Sequence, residues 1–353
     1  MAYTTINKST DYFNTKLYAG NGSTQTISGV GFEPSMTWAK ARTTTTNNVL
    51  QSTVQGLSTA QFSNLAVAES TGLSNAITAY NSDGFALGDW SPLNASGQNF
   101  ISWNWKAGTT GSGTTTGAGT GKAYSYSVNT TSGFSVVKYV GNGTAGHTIP
   151  HHLGAVPKML ITKNLGRGEH WRVYHSSLGN ANKLSLNNIT ASASATEWNS
   201  TTPTSSVFSI GTGEQINYNN DNYIAYCFAD VQGFSKFGKY IGNGNSNGSF
   251  NYTGFKPAFV MIKSTGSGQG WCMKTAKSNN VINANVNNYF LQANQTNVEN
   301  TSTDSSFGID MLSNGFKLRN NDGIMNSSGQ NYIYMAYSAA PLVGSNNIPA
   351  NAR

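Results

Sequence analysis

Charged residues, cysteines and long apolar runs are scarce in this sequence of 353 residues. Asp, Glu, Lys and Arg together make up 10% of it, against ~25% in an average soluble domain. The two cysteines, Cys227 and Cys272, lie in strand-like stretches, so we expect buried thiols and no disulfide framework. No apolar run approaches the ~20 residues that cross a bilayer, and the first residues lack the regions of a signal peptide. We therefore expect no membrane insertion and no signal-directed export.

The scarcity of charge also argues against nucleic-acid binding and against common enzymatic chemistry. The formal net charge is +7, but the basic residues are scattered, whereas nucleic-acid binding requires them to cluster. The 14 Asp and Glu residues include no obvious glycosidase pair, and no serine lies in a G-x-S-x-G turn before a helix. We expect a protein that is not an enzyme, needs no cofactor and binds no nucleic acid.

All five histidines lie in the middle third of the chain, which raises the question of a metal site. The stretch HTIPHH at 147–152 offers three imidazoles, a number that a transition metal accepts. No carboxylate or thiol recurs at ligand spacing, and Pro150 interrupts any helical face. We therefore expect exposed loop histidines and no metal. The stretches NNDN at 219–222 and NNDG at 320–323 likewise favour turns over calcium loops. The five histidines are His147, His151, His152, His170 and His175.

Glycine, asparagine, serine, threonine and aromatic residues are abundant instead. Glycine, asparagine and serine suit turns, whereas threonine, tyrosine and phenylalanine suit strands. The 17 Tyr, 16 Phe and 7 Trp supply enough apolar area for a packed core. No long stretch shows a clean helical period. The sequence therefore predicts an all-β fold of antiparallel β-sandwich modules, of the jelly-roll or lectin-like kind.

Three blocks recur three times along the chain. The first is a pentamer, YAGNG at 18–22, YVGNG at 139–143 and YIGNG at 240–244. The second reads GFEPSMTWAK at 31–40, GAVPKMLITK at 154–163 and GFKPAFVMIK at 254–263. The third reads GQNFISWNWKA at 97–107, NDNYIAYCFAD at 220–230 and GQNYIYMAYSA at 329–339. Internal repetition at such a period indicates tandem modules.

The blocks divide the chain into three sandwich modules and two connecting pieces. Module 1 comprises residues 1–107, module 2 residues 122–231 and module 3 residues 232–341. Between modules 1 and 2, residues 108–121 read GTTGSGTTTGAGTG, a low-complexity stretch that we expect to be a flexible linker. Residues 342–353 form a C-terminal tail.

Aligning the modules with one another predicts which strand faces are buried. Alternate residues of the third block are large and apolar in every copy, so they belong to one core face, and we expect Trp103 and Trp105 to be packing residues. They are Ile101, Trp103, Trp105, Ile224, Tyr226, Phe228, Ile333, Met335 and Tyr337. A lysine ends the second block each time, at Lys40, Lys163 and Lys263. We expect its stem to pack along the core edge with the ammonium at the rim.

The pentamer itself favours a turn over a phosphate-binding loop, because no helix N-terminus follows it. Glycine and asparagine tolerate the positive φ angles of tight turns. The predicted structural turn residues are Gly20, Asn21, Gly22, Gly141, Asn142, Gly143, Gly242, Asn243 and Gly244.

The repeated blocks and the ending GQNYIYMAYSAAPLVGSNNIPANAR together resemble virion proteins of marine tailed phages. Those proteins are of the tail-fibre-like or lectin-like repeat type, and the resemblance covers essentially the whole chain. It departs in module 2, where HLGAVP stands for GFxP. The resemblance implies a position on the virion exterior, with synthesis in the host cytoplasm and release by lysis. It implies no catalytic or binding residue.

Three hypotheses for function follow. The first is a non-enzymatic structural protein of a virion, a tail fibre, an appendage or a head decoration, with other virion proteins as partners. The second is a module that recognises host cell-surface glycans and so aids host attachment, with Trp90, Trp171 and Trp271 as the sugar-stacking candidates because they lie near loops. The third is a bacterial surface adhesin or depolymerase. Phage fibres are often trimers, and the sequence permits a homotrimer, although no coiled-coil heptads specify one.

Overall fold

The structure is a computed structural model that describes residues 3–266, 268–278, 285–301 and 305–344. Strands make up 44% of it and helices 4%, and every paired strand is antiparallel to its neighbours. The all-β, antiparallel sandwich prediction is confirmed. Each module contributes a large sheet of five or six strands and a small sheet of three strands.

Module 1 shows the plan of the sandwich in its simplest form. The large sheet has the order β1-β8-β3-β4-β5, and the small sheet has the order β2-β7-β6. The pentamer ends the first strand of the large sheet, the second block supplies β3, and the third block supplies β8 between them. The elements are β1 (Phe13–Ala19), β2 (Gln25–Ser28), β3 (Met36–Ala41), β4 (Val49–Ser52), β5 (Gln61–Phe62), β6 (Ile77–Asn81), β7 (Gly84–Leu87), the short helix α1 (Ser91–Asn94) and β8 (Asn99–Trp105), preceded by a 3-10 turn at Ser9–Asp11.

Module 2 repeats this plan with extra strands on one edge. Its large sheet has the order β15-β14-β19-β12-β11-β9, its small sheet β10-β13-β18, and β16 pairs with β17. The elements are β9 (Thr109–Thr114), β10 (Thr116–Gly117), β11 (Ala123–Asn129), β12 (Phe134–Val140), β13 (His147–Pro150), β14 (Met159–Asn164), β15 (Arg172–His175), β16 (Asn182–Lys183), β17 (Ala193–Ser194), β18 (Val207–Ile210), α2 (Glu214–Asn217) and β19 (Asn222–Phe228).

Module 3 returns to the five-stranded plan. Its large sheet has the order β20-β27-β22-β23-β24, and its small sheet has the order β21-β26-β25. The elements are β20 (Ser235–Ile241), β21 (Phe250–Tyr252), β22 (Phe255–Ser264), β23 (Trp271–Thr275), β24 (Leu291–Gln292), a 3-10 turn at Ser305–Phe307, β25 (Ile309–Leu312), β26 (Gly315–Leu318) and β27 (Asn331–Pro341). Of the predicted tail, residues 345–353 lie outside the described part of the chain.

The expectation of a flexible linker at 108–121 is wrong. Most of this stretch forms β9 and β10, and β9 pairs with β11 over six residues to extend the large sheet of module 2. The glycines of β9 make this pairing possible. A Cβ at Gly111 would lie 2.6 Å from the Tyr126 hydroxyl, and one at Gly113 would lie 2.9 Å from the Tyr124 hydroxyl. The two tyrosines therefore lie across the glycines, a packing that low complexity alone does not indicate.

The central strands of each large sheet, such as β8, are buried on both faces, and the two faces pack in different cores. One face packs on the small sheet of its own module, as in module 1 around Phe85, and so forms the interior of the sandwich. The other face packs against the large sheets of the other two modules. All nine apolar residues of the third block are buried, as predicted, but they lie in this central core between modules and not inside a sandwich. For example, the ring centroid of Trp105 lies 6.2 Å from that of Phe134 in module 2 and 5.8 Å from that of Tyr337 in module 3.

The modules close into a ring through one contact that is repeated three times. The residue eight positions after the repeated lysine carries the donor. Its side-chain N–H donates to a backbone carbonyl of another module. The three bonds, each 2.9 Å long, run from Trp171 to Phe62, from Trp271 to Ser185 and from Asn48 to Gln292. Module 2 thus contacts module 1, module 3 contacts module 2, and module 1 contacts module 3.

A second backbone contact repeats around the same ring. The donor of this contact is the backbone N–H of the residue seven positions after Phe62, Ser185 or Gln292. The acceptor is the backbone carbonyl of the residue two positions after the repeated lysine of another module. These bonds run from Glu69 to Leu165, from Ser192 to Thr265 and from Glu299 to Arg42, at 2.8–2.9 Å. Because equivalent positions meet in the same order at all three boundaries, the chain has pseudo-threefold symmetry of the head-to-tail kind that closes a ring.

Candidate functional site

The pentamer turn wraps around a buried asparagine in every module. In module 2, Asn217 accepts hydrogen bonds from the backbone N–H groups of Asn142 and Gly143 at 2.8 and 3.2 Å. Its side-chain amide donates to the carbonyls of Thr144 and Gly211. Asn94 and Asn326 hold the pentamers of modules 1 and 3 in the same way, and all three asparagines are fully buried.

The glycines of the pentamer fit closely against this asparagine segment. A Cβ at Gly141 would lie 2.4 Å from the Tyr218 carbonyl oxygen, and the corresponding distances at Gly20 and Gly242 are 2.2 and 2.3 Å. The last glycine of each pentamer has a φ of 65–71°, which is costly for residues with a side chain. The pentamer is therefore a structural turn whose polar groups are used within the fold.

Sequence reasoning missed the three buried asparagines, although the sequence contains a regular sign of them. Each lies five residues before the asparagine that opens the closing strand, as in Asn94 and Asn99. The equivalent pairs are Asn217 with Asn222 and Asn326 with Asn331. Extending the third repeated block five residues towards the N-terminus reveals this spacing, but the surrounding residues differ too much for the block to stand out.

The repeated lysines are buried, so the expectation of ammonium groups at the rim is wrong. Lys40, Lys163 and Lys263 are at most 1% exposed. Lys263 donates to the carbonyls of Ser264 and Gln269, both at 2.8 Å, and thereby holds the loop between β22 and β23. Burial lowers the pKa of each of the three lysines to about 8. The lysines close hairpin loops and have no face open to a ligand.

Two of the three sugar-stacking candidates are buried. Trp171 and Trp271 are at most 1% exposed, and their indole N–H groups form the ring contacts between modules described above. Neither indole has a ring face open to a sugar, which corrects the prediction for these two residues. Their position near loops in the sequence is also the position where one module meets the next.

Trp90 lies apart from the other two tryptophans. It precedes helix α1, is half-buried, and its ring centroid lies 6.2 Å from that of Phe62. The ring packs against the sandwich core of module 1 and keeps part of its surface exposed. A sugar-stacking role for Trp90 stays a prediction.

The histidines are dispersed through module 2. His147, His151 and His175 are fully buried, so the expectation of exposed loop histidines is wrong for these three. Burial lowers the pKa of His151 and of His175 to about 4. His152 stacks on Tyr126 with ring centroids 3.7 Å apart. Across the described ranges, no group of three or more His, Cys, Asp or Glu side chains is placed to hold a metal ion. No described helix is long and apolar enough to cross a membrane.

Comparison with known proteins gives the family of the chain. A family model described as a domain of unknown function (DUF7483) matches residues 8–341. The chain belongs to this family. The match spans all three modules, so the DUF7483 domain corresponds to the whole ring and not to a single sandwich. No curated protein and no solved structure matches the chain significantly.

In this DUF7483 domain, each boundary between modules leaves a cleft of about 210–270 Å³. Equivalent residues, each 14 positions after the repeated lysine, line the three clefts: Val54, Ser177 and Lys277. Lys277 donates to Asn14 and Thr15 across its cleft at 2.7–2.8 Å. Because the side chains differ completely at this position, the clefts follow from the ring geometry and share no common chemistry.

Proposed function

We propose that this protein is a non-enzymatic structural component of a phage virion. It stands on the particle exterior as part of a tail fibre, an appendage or a head decoration, and it contacts other virion proteins and takes part in host attachment. The observation that carries this proposal is the closed ring of three sandwiches around a shared aromatic core. The resemblance of the repeated blocks to virion proteins of marine tailed phages supports it independently.

The ring suits a part that keeps its shape outside a cell. Contacts at all three boundaries tie each module to both others, and the central core includes the rings of Trp105, Phe134 and Phe259, which come from three different modules. Such a core couples the modules, so that no module opens without exposing the apolar surface of the others. The surface needs few charges to stay soluble because uncharged polar residues cover it.

Pseudo-threefold symmetry gives a second reason. Phage fibres are often trimers, and this ring presents three related modules around one axis from a single chain. A chain of this shape can occupy a threefold position in an assembly without three separate copies.

The proposal is tested on virions of the phage that encodes the chain. Mass spectrometry of gradient-purified particles is expected to detect the protein, and an antiserum raised against the isolated ring is expected to label intact particles in negative-stain images. Absence of the protein from purified particles would refute the virion role. Detection in particles without labelling of intact ones would refute the exterior position.

A further inference from the structure

The small sheets allow the three modules to be compared residue by residue. In each small sheet one buried phenylalanine lies on the strand that pairs with the strand after the pentamer, which is β2, β13 or β21. It faces Ile27 in module 1, Ile149 in module 2 and Asn251 in module 3. These phenylalanines are Phe85, Phe208 and Phe316, all 0% exposed. The residues on either side of the facing position therefore occupy equivalent outward-pointing places in all three modules.

Module 3 differs from the other two at these outward places. It carries Phe250 and Tyr252, which are 44% and 56% exposed. The equivalent residues are Thr26 and Ser28 in module 1 and Thr148 and Pro150 in module 2. Since two modules form the same small sheet with small residues there, the fold does not require aromatic side chains at this place.

The two aromatic rings are open to solvent. No other aromatic ring of the described residues packs against Phe250 or Tyr252. Phe250 lies over Gly315, where a Cβ would come within 2.9 Å of the ring, so one of its faces covers the sheet. Tyr252 has the larger exposed fraction of the two. Exposed aromatic residues that the fold does not need are typical of binding surfaces.

Tyr252 also lines a groove of about 440 Å³. Tyr3 lines the groove beside Tyr252, and its hydroxyl donates to the Gly254 carbonyl at 2.8 Å and lies 3.5 Å from the Tyr252 hydroxyl. The segment that joins modules 2 and 3 also lines the groove, with Asp230, Gln232 and Lys236. A volume of this size lies within the range of small-ligand sites.

The lining of the groove includes a fixed charged pair. Asp230 accepts a hydrogen bond from the Lys236 ammonium at 2.9 Å and one from the Phe237 backbone N–H at 2.9 Å. These two bonds fix the carboxylate, and each of its oxygens keeps a lone pair free. The Lys236 ammonium likewise keeps donors for another partner. Both side chains of the pair are partly exposed, at 25% and 41%.

We propose that this groove binds a saccharide unit, with a sugar ring against Tyr252 and its hydroxyls on Asp230 and Lys236. A sugar combines an apolar C–H face with several hydroxyls that both donate and accept. The groove offers the same combination, because its lining includes the Tyr252 side chain and the Asp230–Lys236 pair, which places acceptor and donor groups side by side. The proposal deepens the part in host attachment proposed above, but the binding itself does not depend on the virion position.

The experiment uses the full chain and its variant Tyr252→Ser, which installs the residue that module 1 has at the same place. The probes are the methyl glycosides of glucose, galactose, mannose and N-acetylglucosamine at millimolar concentration, followed by an array of bacterial surface polysaccharides. Saturation-transfer NMR reports contact with each glycoside. Tyr218→Ser is the matched control, since Tyr218 is a 40% exposed tyrosine of module 2 that lies outside the groove.

We expect transfer to at least one glycoside or binding to at least one polysaccharide. Tyr252→Ser is expected to weaken this binding about tenfold, as for the loss of one ring contact, whereas Tyr218→Ser leaves it unchanged. The thermal midpoints of the chain and Tyr252→Ser should agree, which excludes unfolding as the cause. Absence of binding to every probe overturns the proposal, and so does binding that Tyr252→Ser leaves intact. A third outcome is that the chain captures another virion protein, that this capture is lost in Tyr252→Ser, and that no saccharide binds. This outcome overturns the saccharide proposal and leaves the proposed virion role standing.

Discussion

Replacing Lys263 with methionine will change how the stability of the protein depends on pH. Lys263 is 0% exposed, and burial lowers its pKa from 10.5 to about 8. In the unfolded chain the same ammonium is solvated and has its ordinary pKa. Between pH 8 and pH 10.5 the unfolded state therefore binds more protons than the folded state. The free energy of unfolding rises with pH across this window, because deprotonation removes a buried charge.

The magnitude follows from the two pKa values. One pKa unit corresponds to about 1.4 kcal/mol, so the full shift of Lys263 is worth ~3 kcal/mol. Between pH 7.5 and pH 9.5 the linkage relation gives about 2 kcal/mol of this amount. The wild-type free energy of unfolding is therefore expected to rise by about 2 kcal/mol more than that of Lys263→Met over this interval. Ionisation of the other groups affects both proteins alike and cancels in the difference.

The assay is urea unfolding followed by tryptophan fluorescence at pH 7.5, 8.5 and 9.5. The absolute stability of Lys263→Met is not the test, because the substitution also leaves the carbonyls of Ser264 and Gln269 without their donor. Lys239→Met is the control, since Lys239 is exposed and should show the wild-type dependence on pH. Equal pH dependence of the wild type and Lys263→Met would refute the argument that the buried ammonium is desolvated.

Three further substitutions test the ring and the repeated turn by urea unfolding. Trp105→Ala is expected to lower the free energy of unfolding by ~3–5 kcal/mol within a single transition, because Trp105 lies in the core shared by all three modules. The half-buried Trp90 provides the control, and Trp90→Ala should cost less. A separate transition for module 1, or an equal loss in Trp90→Ala, would contradict the shared core. Gly141→Ala is expected to cost about 2–3 kcal/mol because its Cβ would meet a carbonyl at 2.4 Å, whereas Gly166→Ala has no atom nearer than 3.8 Å and should be near neutral. Asn326→Ala is expected to cost about 2–3 kcal/mol and to speed hydrogen exchange in the third pentamer; unchanged exchange there would contradict the role of the asparagine.

The sequence predicted the burial of the closing strands but not which core they face. Alternation assigns Ile101, Trp103 and Trp105 to one side of a strand, and that side is buried. The other side carries Ser102 and Asn104, which in isolation favour solvent. Both are nevertheless 0% exposed, and Asn104 donates to the Asn14 carbonyl and the Ser102 hydroxyl inside the fold. A period of two separates the faces of a strand, but it does not reveal a second layer packed on the polar side.

The errors of sequence interpretation have a common physical cause. Trp171 is a candidate site because it lies near a loop, and the Lys40 ammonium is expected at the rim because a lysine stem can pack on the core edge while its charge reaches water. Both are buried, and both contact partners distant in sequence: Trp171 donates to the Phe62 carbonyl, 109 positions away, and Lys40 donates to the Thr296 carbonyl, 256 positions away. Contacts of this kind depend on how the modules close into a ring, and no local pattern encodes that closure.

A single chain with three modules has a property that a homotrimer lacks. In a homotrimer every substitution appears three times, so a surface change that disturbs the assembly does so at all three boundaries. Here the elements that build the ring recur in each module, whereas single modules carry additions of their own. Module 2 has the extra strands β9 and β11 on its large sheet, and module 3 has Phe250 and Tyr252 on its small sheet. The repeated residues explain the fold, so residues present in only one module are the places where a function specific to this protein should be sought.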